Sequence, residues 1–209
     1  MKQESKYVLI ACECSQVECA AFREVGCIAF SCDIKRQTGG HPEWHIQEDV
    51  TPFLKGRRYF YTNDDKLHHV PRWNLIIAHP PCTYLCNLSS VQLMRNGQRD
   101  EVRFAHGIVA REFFHKCLDA ACDCVAVENP TPLGLWQLPP PTQVIQPYQY
   151  GHPYSKRTCL WLRNLPPLLP ELWTDGHTQY VRRSRLSSTR ARAFTGIAKA
   201  MANQWHDVI

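Results

Sequence analysis

The chain contains 209 residues, of which 44% are hydrophobic and 21% are charged, and this composition predicts one domain, residues 1–209, built around a single sizeable core. The formal net charge of +5 permits a polyanionic partner without identifying one. The eleven cysteines are an odd number, no signal-peptide pattern opens the sequence, and no apolar run reaches the about 20 residues of a membrane span, so we expect a reduced, cytoplasmic protein without a membrane segment.

Apolar segments alternate with amphipathic ones from the start of the chain. YVLIAC at 7–12 predicts a strand, VECAAFREVG, which closes on Gly26, predicts a helix, and CIAFSCD at 27–33 predicts a second strand. WNLIIAH at 73–79 predicts a third, buried strand.

The second half of the chain continues this alternation. Residues 102–121 predict a helix whose apolar face contains positions 102, 105, 109, 113, 117 and 120. CVAVEN at 124–129 predicts a fourth strand, TCLWL at 158–162 a late strand, and FTGIAKAMANQW at 194–205 a C-terminal helix. The pattern predicts a doubly wound α/β fold with a mostly parallel, Rossmann-like sheet covered on both faces.

A proline-rich segment, NPTPLGLWQLPPPTQ, follows the fourth strand, and we expect it to fold over the edge of the sheet. Trp161 and Trp173 are expected to cover the sheet, and Trp136 either covers it or stacks on a base. Several cysteines cluster in sequence without the paired Cys-x-x-Cys spacing of zinc ribbons, so we expect them to pack in the core and predict no metal site: Cys12, Cys14, Cys19, Cys117, Cys122 and Cys124.

Polar residues follow the predicted strands at the points where the strands end. These are Glu13, Cys14, Ser15, Asp33, Cys82, Glu128 and Asn129. Because ligands of an open parallel sheet bind outside the carboxyl ends of its strands, these residues are the candidate site. The carboxylate of Asp33 either accepts from both hydroxyls of a ribose or caps a turn.

Cys82 and Glu128 together indicate chemistry on an electron-poor ring. A thiolate is a good nucleophile, and the two prolines before Cys82 fix the backbone so that the sulfur is presented. A carboxyl group at Glu128, held protonated by burial, can donate to a ring nitrogen and make the ring easier to attack. A single cysteine is more often an inert buried side chain, so the interpretation depends on the pair.

Four segments resemble, in order and approximate spacing, the motifs of the DNA (cytosine-5)-methyltransferases. IIAHPPCTYL resembles the catalytic-cysteine motif, VAVENP the Glu-Asn motif, YGHPYSKRTCLWL the arginine strand, and TGIAKAMANQW the C-terminal helix. The chain looks most like the compact phage and prophage members, in which ACE, SCD and HPPCT blocks occur together. The resemblance covers most of the chain and implies an S-adenosylmethionine-dependent methyltransferase fold in the cytoplasm of a bacterium or a phage-infected host.

The resemblance also implies a mechanism and three catalytic residues, Cys82, Glu128 and Arg157. Cys82 would attack C6 of a cytosine while Glu128 holds N3 and the exocyclic amine. C5 would then take the methyl group of S-adenosylmethionine, and 5-methylcytosine would be released as Cys82 leaves. The target base must be flipped out of double-stranded DNA or supplied unpaired in a single strand.

The cofactor site that the resemblance implies lies at the ends of the first two strands. Asp33 would bind the ribose, Ile34 would lie against the adenine, and Asp49, with Val50 beside it, would contact the adenine amine. The residues that would line the methionine end are Glu13, Cys14 and Ser15. Those that would contact the substrate near the nucleophile are Pro81, Thr83, Asn129 and Lys156.

The sequence departs from the family's pattern in several places. Cys14, Gln16 and Val17 stand where the family has glycines, and Thr83 replaces the usual glutamine after the nucleophile. The arginine strand offers only Arg157, with Lys156 beside it.

We expect no target-recognition domain between the arginine strand and the last helix, because too few residues separate them. An Arg-rich loop at 180–194, YVRRSRLSSTRARAF, stands in its place. We expect Arg182, Arg183 and Arg185 to bind nucleic-acid backbone with little sequence readout, leaving specificity to a few bases or to a second subunit of a homodimer.

Two alternatives to methylation of DNA stay open. The same chemistry can act on a free deoxycytidine nucleotide or transfer a different group from a modified cofactor. The chain can also be a catalytically inactive protein that binds DNA or cofactor. Retention of Cys82 and Glu128 favours an enzyme, whereas loss of the glycine loop favours the inactive protein.

Overall fold

The computed structural model describes residues 4–87, 92–95, 97–175, 178–179 and 193–209. Its strands are β1 (Tyr7–Ala11), β2 (Ile28–Cys32), β3 (His45–Ile46), β4 (Tyr59–Tyr61), β5 (Leu67–His69), β6 (Leu75–Ala78), β7 (Met94–Arg95), β8 (Gln98–Arg99), β9 (Cys124–Pro130), β10 (Gln143–Ile145), β11 (Tyr154–Ser155), β12 (Thr158–Arg163) and β13 (Thr178–Gln179). Its α-helices are α1 (Val17–Glu24), α2 (Thr51–Leu54), α3 (Glu101–Leu118) and α4 (Thr195–Trp205), with 3-10 turns at Pro42–Trp44, Gly134–Trp136 and Pro147–Gln149.

In the described part of the chain, seven strands form the central sheet, in the order β10-β12-β9-β6-β1-β2-β3. Five of these strands run parallel to one another, namely β9, β6, β1, β2 and β3. β12 runs antiparallel to β9, and β10 runs antiparallel to β12. The chain moves outward from β1 in both directions, so the predicted doubly wound, mostly parallel α/β fold is confirmed.

Helices cover both faces of the sheet, which explains why its strands are continuous apolar runs. Val8 and Ile10 of β1 belong to the core under α1 and α4, whereas Leu9 and Ala11 belong to the core under α2 and α3. Side chains alternate between faces along a strand, so one strand contributes to both cores. No helix within the described residues is both long and apolar enough to cross a bilayer.

The predicted buried face of α3 is wrong in its N-terminal half. Val102 is 70% exposed and Val109 is 63% exposed, while Gly107, Phe114 and Cys117 face the interior. A Cβ atom added to Gly107 would lie 2.0 Å from the ring of Trp136. The orientation of α3 therefore depends on Gly107. Because glycine has no side chain, an analysis of hydrophobic periodicity does not detect this position.

The proline-rich segment contributes to the sheet edge instead of only covering it. It leads into β10, which pairs with β12 as an edge strand. Trp136 and Trp161 are buried against the sheet, as expected. The expectation for Trp173 is wrong, because this side chain is 60% exposed and packs edge-on against Tyr148 at the surface.

Candidate active site

The ends of four parallel strands bring the candidate residues to one edge of the sheet. Ala11, the last residue of β1, pairs with Cys32 on one side and with Ala78 on the other. Ala78 in turn pairs with Val127 of β9. The residues that follow these positions therefore line the same edge, as the strand pattern predicts.

The turn after β6 carries Cys82 and is fastened to β9. The carbonyl oxygen of Cys82 accepts from the backbone N–H groups of Leu85 and Cys86, both at 3.1 Å. The side-chain amide of Asn129 donates to the carbonyl oxygen of Pro80 at 2.8 Å. The nucleophile candidate thus sits in a hydrogen-bonded turn that depends on the Glu-Asn strand end.

Two predicted substrate contacts flank this turn at the surface. Pro81 and Thr83 are both exposed. The carbonyl oxygen of Thr83 accepts from the guanidinium of Arg103 at 2.9 Å, which ties the turn to α3. Both side chains are available to a substrate that approaches Cys82.

The thiol of Cys82 is held in its protonated form. A hydrogen bond with the side chain of Cys86, burial, and the negative charge of Glu128 all raise the pKa of Cys82, and the charge of Lys156 lowers it. Lys156 and Glu128 therefore act on the sulfur with opposite signs. Any change that neutralises Glu128 favours the thiolate, which is the reactive species.

His79 lies between two glutamates at the same edge. Its Nε2 atom is 2.6 Å from Oε2 of Glu18, in the first turn of α1, and its Nδ1 atom is 3.1 Å from Oε2 of Glu128. Glu18 is only 2% exposed. Burial lowers the pKa of His79, but the charges and hydrogen bonds of Glu18 and Glu128 outweigh it and hold that pKa well above its usual value.

The expectation that burial keeps Glu128 protonated is wrong for the free protein. Burial does raise the pKa of Glu128, but the hydrogen bond from His79 and the positive charges of His79 and Lys156 bring it below its usual value. Glu128 is therefore a carboxylate. A proton that it gives to a ring nitrogen has to reach it from a neighbouring group.

Glu13 is a second buried acid at this edge. Its Oε1 atom accepts from the Ser15 hydroxyl at 2.5 Å and from the backbone N–H of Val17 at 2.9 Å. Among the described residues, no group hydrogen-bonds its buried Oε2 atom. Burial and the charge of Glu18 raise the pKa of Glu13 to about 7. Its free oxygen is an acceptor available to a cationic ligand.

The loop between β1 and α1 keeps a glycine-like backbone without glycine. Gln16 has a φ of 61°, in the left-handed region, and Cys12 has the same φ. The side-chain amide of Gln16 bonds both backbone groups of His41, donating at 2.8 Å and accepting at 3.1 Å. The carbonyl oxygen of Cys14 accepts from the N–H of Thr38 at 2.7 Å. Side-chain and loop contacts hold the conformation that glycines would otherwise provide.

Asp33 and Ile34 lie together just after β2. Oδ1 of Asp33 accepts from the backbone N–H of Lys35 at 2.8 Å, so this carboxylate stabilises its own turn. Ile34 is 72% exposed. A carboxylate beside an exposed aliphatic side chain can bind a ribose and the face of an adenine, so the turn and ligand interpretations of Asp33 are compatible.

Asp49 and Val50 have structural roles at the start of α2. Oδ1 of Asp49 accepts from both the backbone N–H and the hydroxyl of Thr51, at 2.9 Å and 2.8 Å. The side chain of Val50 is buried in the core with Phe53. Of these two residues, only Asp49 is therefore exposed to a cofactor, and Val50 is buried.

Lys156 and Arg157 precede β12 and act on different groups. The charge of Lys156 lowers the pKa of both Cys82 and Glu128. Arg157 is exposed; burial raises the pKa of Cys159, and the charge and hydrogen bond of Arg157 only partly oppose that rise. The predicted substrate contacts Arg182, Arg183 and Arg185 lie outside the described residues.

Three residues of this site are not predicted from the sequence: His79, Glu18 and Cys86. The available signals are weak. Glu18 is an acid within the otherwise apolar start of α1, and His79 directly follows a buried strand. Neither residue type is unusual at such a position alone, and only the fold brings the two together.

The comparisons with known proteins find similarity to solved structures. No family model matches the sequence, and no curated protein matches it significantly. One similar solved structure is a candidate DNA modification methyltransferase encoded within a prophage of E. coli, with 15% sequence identity and a TM-score of 0.48. The match covers 81% of this chain and 52% of that one, so the chain spans about half the neighbour's length.

Proposed function

We propose that the protein methylates C5 of cytosine in DNA, with S-adenosylmethionine as methyl donor and a covalent bond between Cys82 and C6 of the base. The observation that carries this proposal is the placement of Cys82, Glu128 and Lys156 at one sheet edge, where the charges of the latter two act on the sulfur. A nucleophile, a group that can bind a ring nitrogen and a fixed cation are what addition to a pyrimidine needs.

The residues at the ends of β1 and β2 fit a cationic nucleoside cofactor. Glu13 offers a buried oxygen without a hydrogen-bond partner among the described residues, suited to an ammonium group. Asp33 and the exposed Ile34 suit a ribose and an adenine. When bound, S-adenosylmethionine supplies the activated methyl group.

Cys82 reacts as a thiolate, and the chain supplies the means of forming it. The positive charge of Lys156 favours the thiolate, while the negative charge of Glu128 opposes it. When Glu128 takes up a proton to share with N3 of the base, this opposition ends. Binding of cytosine and activation of the nucleophile are therefore coupled through Glu128.

The hydrogen-bonded turn after β6 holds the Cys82 sulfur in a fixed position relative to the Glu128 carboxylate. Asn129 holds Pro80 from the β9 side, and the backbone N–H groups of Leu85 and Cys86 hold the carbonyl of Cys82. Reacting groups kept in position before the substrate arrives lower the entropic part of the barrier. We assign Asn129 this positioning role and keep Arg157 as the third catalytic residue that the resemblance implies.

DNA is the proposed substrate because of the Arg-rich loop at 180–194 and the formal charge of +5. Arg182, Arg183 and Arg185 would contact phosphates, which give affinity without sequence readout. The base would be flipped out of a duplex or taken from a single strand. A second subunit is the proposed source of further contacts.

Nucleoside mass spectrometry tests the proposal. The protein is incubated with unmethylated DNA and S-adenosylmethionine carrying an isotope-labelled methyl group, and the DNA is hydrolysed to nucleosides. Labelled 5-methyldeoxycytidine is expected. Cys82→Ala should yield none, whereas Cys27→Ala, which changes a buried cysteine in the core under α1, should yield as much as the unaltered protein.

The alternative functions give different results in the same assay. Label on free deoxycytidine triphosphate but not on DNA would favour a mononucleotide enzyme. A product mass other than that of a methyl group would favour a different transferred group. Absence of any product, with cofactor and DNA still bound, would favour the inactive binding protein and contradict the proposal.

A further inference from the structure

The pair of hydrogen bonds made by His79 forms a chain from the buried Glu18 of α1 to Glu128 at the proposed base site. Glu18 contacts Nε2 at 2.6 Å and Glu128 contacts Nδ1 at 3.1 Å. Both ring nitrogens therefore face carboxylate oxygens, so a proton on each nitrogen satisfies every partner. A neutral imidazole would leave one carboxylate oxygen against a lone pair.

The groups that face this chain set its charge. Glu18 approaches from α1, Glu128 from β9 and Glu13 from the loop after β1, while Lys156 acts on Glu128 from the segment before β12. Glu18 and Glu128, which both lie within hydrogen-bond distance of the ring, favour the imidazolium form of His79. Glu18, at 2% exposure, has no role in the proposed chemistry except through His79.

We propose that His79 is a positioning residue that orients Glu128 toward the target base and stores the proton that Glu128 delivers to N3. This inference rests on the proposed function. It adds a role for Glu18, which keeps His79 protonated without touching the substrate. The same residues also explain how Glu128, a carboxylate in the free protein, becomes a donor.

The proton transfer balances in three steps. The N–H bond at Nδ1 of His79 breaks as an O–H bond forms at Oε2 of Glu128. That O–H bond breaks as N3 of cytosine gains the proton. The S–H bond of Cys82 breaks with loss of its proton to solvent water, the thiolate sulfur bonds C6, and the ring π electrons shift toward C5 and N3. The neutral imidazole keeps its Nε2–H bond to Glu18. At the end of the reaction the C5–H bond breaks with its proton passing to solvent water, the S–C6 bond breaks as Cys82 leaves as a thiolate, and the N3 proton returns through Glu128 to His79.

The test uses two variants, Glu18→Gln and His79→Gln, in the full-length protein. Glu18→Gln keeps a hydrogen-bonding group but removes the charge that keeps His79 protonated. Imidazole nitrogen NMR measures the protonation of His79, and the rate of covalent adduct formation with 5-fluorocytosine DNA measures the reaction across pH. His206→Asn, which removes a histidine paired with Asp207 at the C-terminus, is the control.

For Glu18→Gln, we expect the high-pH limb of the adduct rate and the NMR titration of His79 to move together to lower pH, by about one unit or more. His79→Gln should slow adduct formation by about tenfold to a hundredfold and abolish that limb. If the contacts of His79 were purely structural, both variants would lower the adduct rate by the same factor at every pH. Circular dichroism shows whether each variant folds. If His79→Gln does not fold, the NMR titration of His79 and the pH profile of the adduct rate in Glu18→Gln decide whether His79 stores the proton.

The two proposals fail in different ways. If the unaltered protein forms no adduct at any pH, the proposed function is wrong and the role of His79 falls with it. If the unaltered protein and His206→Asn form the adduct, and Glu18→Gln shifts the NMR titration without moving the rate profile, only the proton-storage role is overturned.

Discussion

The side-chain amide of Asn129 donates a hydrogen bond of 2.8 Å to the carbonyl oxygen of Pro80, and this contact joins the end of β9 to the turn that carries Cys82. Asn129 is almost fully buried, so solvent does not compete with its amide as the donor to the Pro80 carbonyl. Both halves of the proposed catalytic pair therefore depend on one buried amide.

Asn129→Ala should lower the free energy of unfolding by about 1–3 kcal/mol, because the buried carbonyl of Pro80 loses its donor. Asn129→Asp should be worse, since it places a carboxylate oxygen against that carbonyl. Urea denaturation measures both, with Asn87→Ala, an exposed asparagine near the same turn, as the control. Equal stability of Asn129→Ala and Asn87→Ala would show that the contact does not hold the turn.

Glu128→Gln separates the two effects that Glu128 has on the site. Turnover should fall by about a hundredfold or more, because the amide cannot deliver a proton to the ring. Alkylation of Cys82 by iodoacetamide should become faster, because the negative charge that raises its pKa is gone. Affinity for S-adenosylmethionine should hardly change, and Glu112→Gln, on an exposed part of α3, should leave all three quantities unchanged. Weakened cofactor binding with intact turnover would mean that Glu128 belongs to the cofactor site.

Cys86 controls the reactivity of Cys82 through the hydrogen bond between their side chains. This bond is the largest cause of the raised pKa of Cys82. Cys86→Ala should therefore lower that pKa and speed alkylation of Cys82 by about tenfold at fixed pH, as one pKa unit implies. Peptide mass spectrometry identifies the alkylated residue, and Cys27→Ala serves as the control. An unchanged rate at Cys82 would assign the raised pKa to burial and to the charge of Glu128.

The location of the site could be predicted from the sequence because buried parallel strands consist of continuous apolar runs. The ends of those runs mark the sheet edge: Glu128 directly follows one of them, and Cys82 lies in the turn that begins after another. The orientation of a helix is harder to predict, since Gly107 faces Trp136 while Val109 is exposed. A residue without a side chain carries no hydrophobic signal, although here it is the position that Trp136 requires.

The electrostatics of the site could not be predicted from the sequence. Burial of Glu128 suggests a protonated acid, but His79 reverses the direction of its pKa shift. His79 is itself charged because of Glu18, which is 61 positions away in the chain. Charge states of this kind depend on which side chains the fold brings together, and no local pattern records that.

The Arg-rich loop at 180–194 gives a prediction from sequence alone. Changing Arg183 and Arg185 together to alanine should weaken binding similarly across DNA sequences, because phosphate contacts carry no base readout. The slope of log affinity against log salt should fall by about one unit for each lost phosphate contact. Fluorescence anisotropy over a range of salt concentrations measures both, with Arg72→Ala, an exposed arginine elsewhere on the surface, as the control. An unchanged slope, with activity on free deoxycytidine triphosphate, would favour the mononucleotide enzyme.

Glu13 should make the stability of the protein fall as the pH rises toward neutrality. Its pKa is raised from 4.5 to about 7 in the folded protein, so between these values the folded state holds a proton that the unfolded chain has released. The stabilisation is complete below the unfolded pKa and is lost as the pH rises through the folded pKa, by about 3 kcal/mol at most.

Glu13→Gln removes this titration, so its free energy of unfolding should decline less than that of the unaltered protein over this range. Urea denaturation at closely spaced pH values measures the difference, and Glu112→Gln should follow the unaltered protein. Parallel pH dependence in Glu13→Gln and the unaltered protein would show that Glu13 ionises with its ordinary pKa.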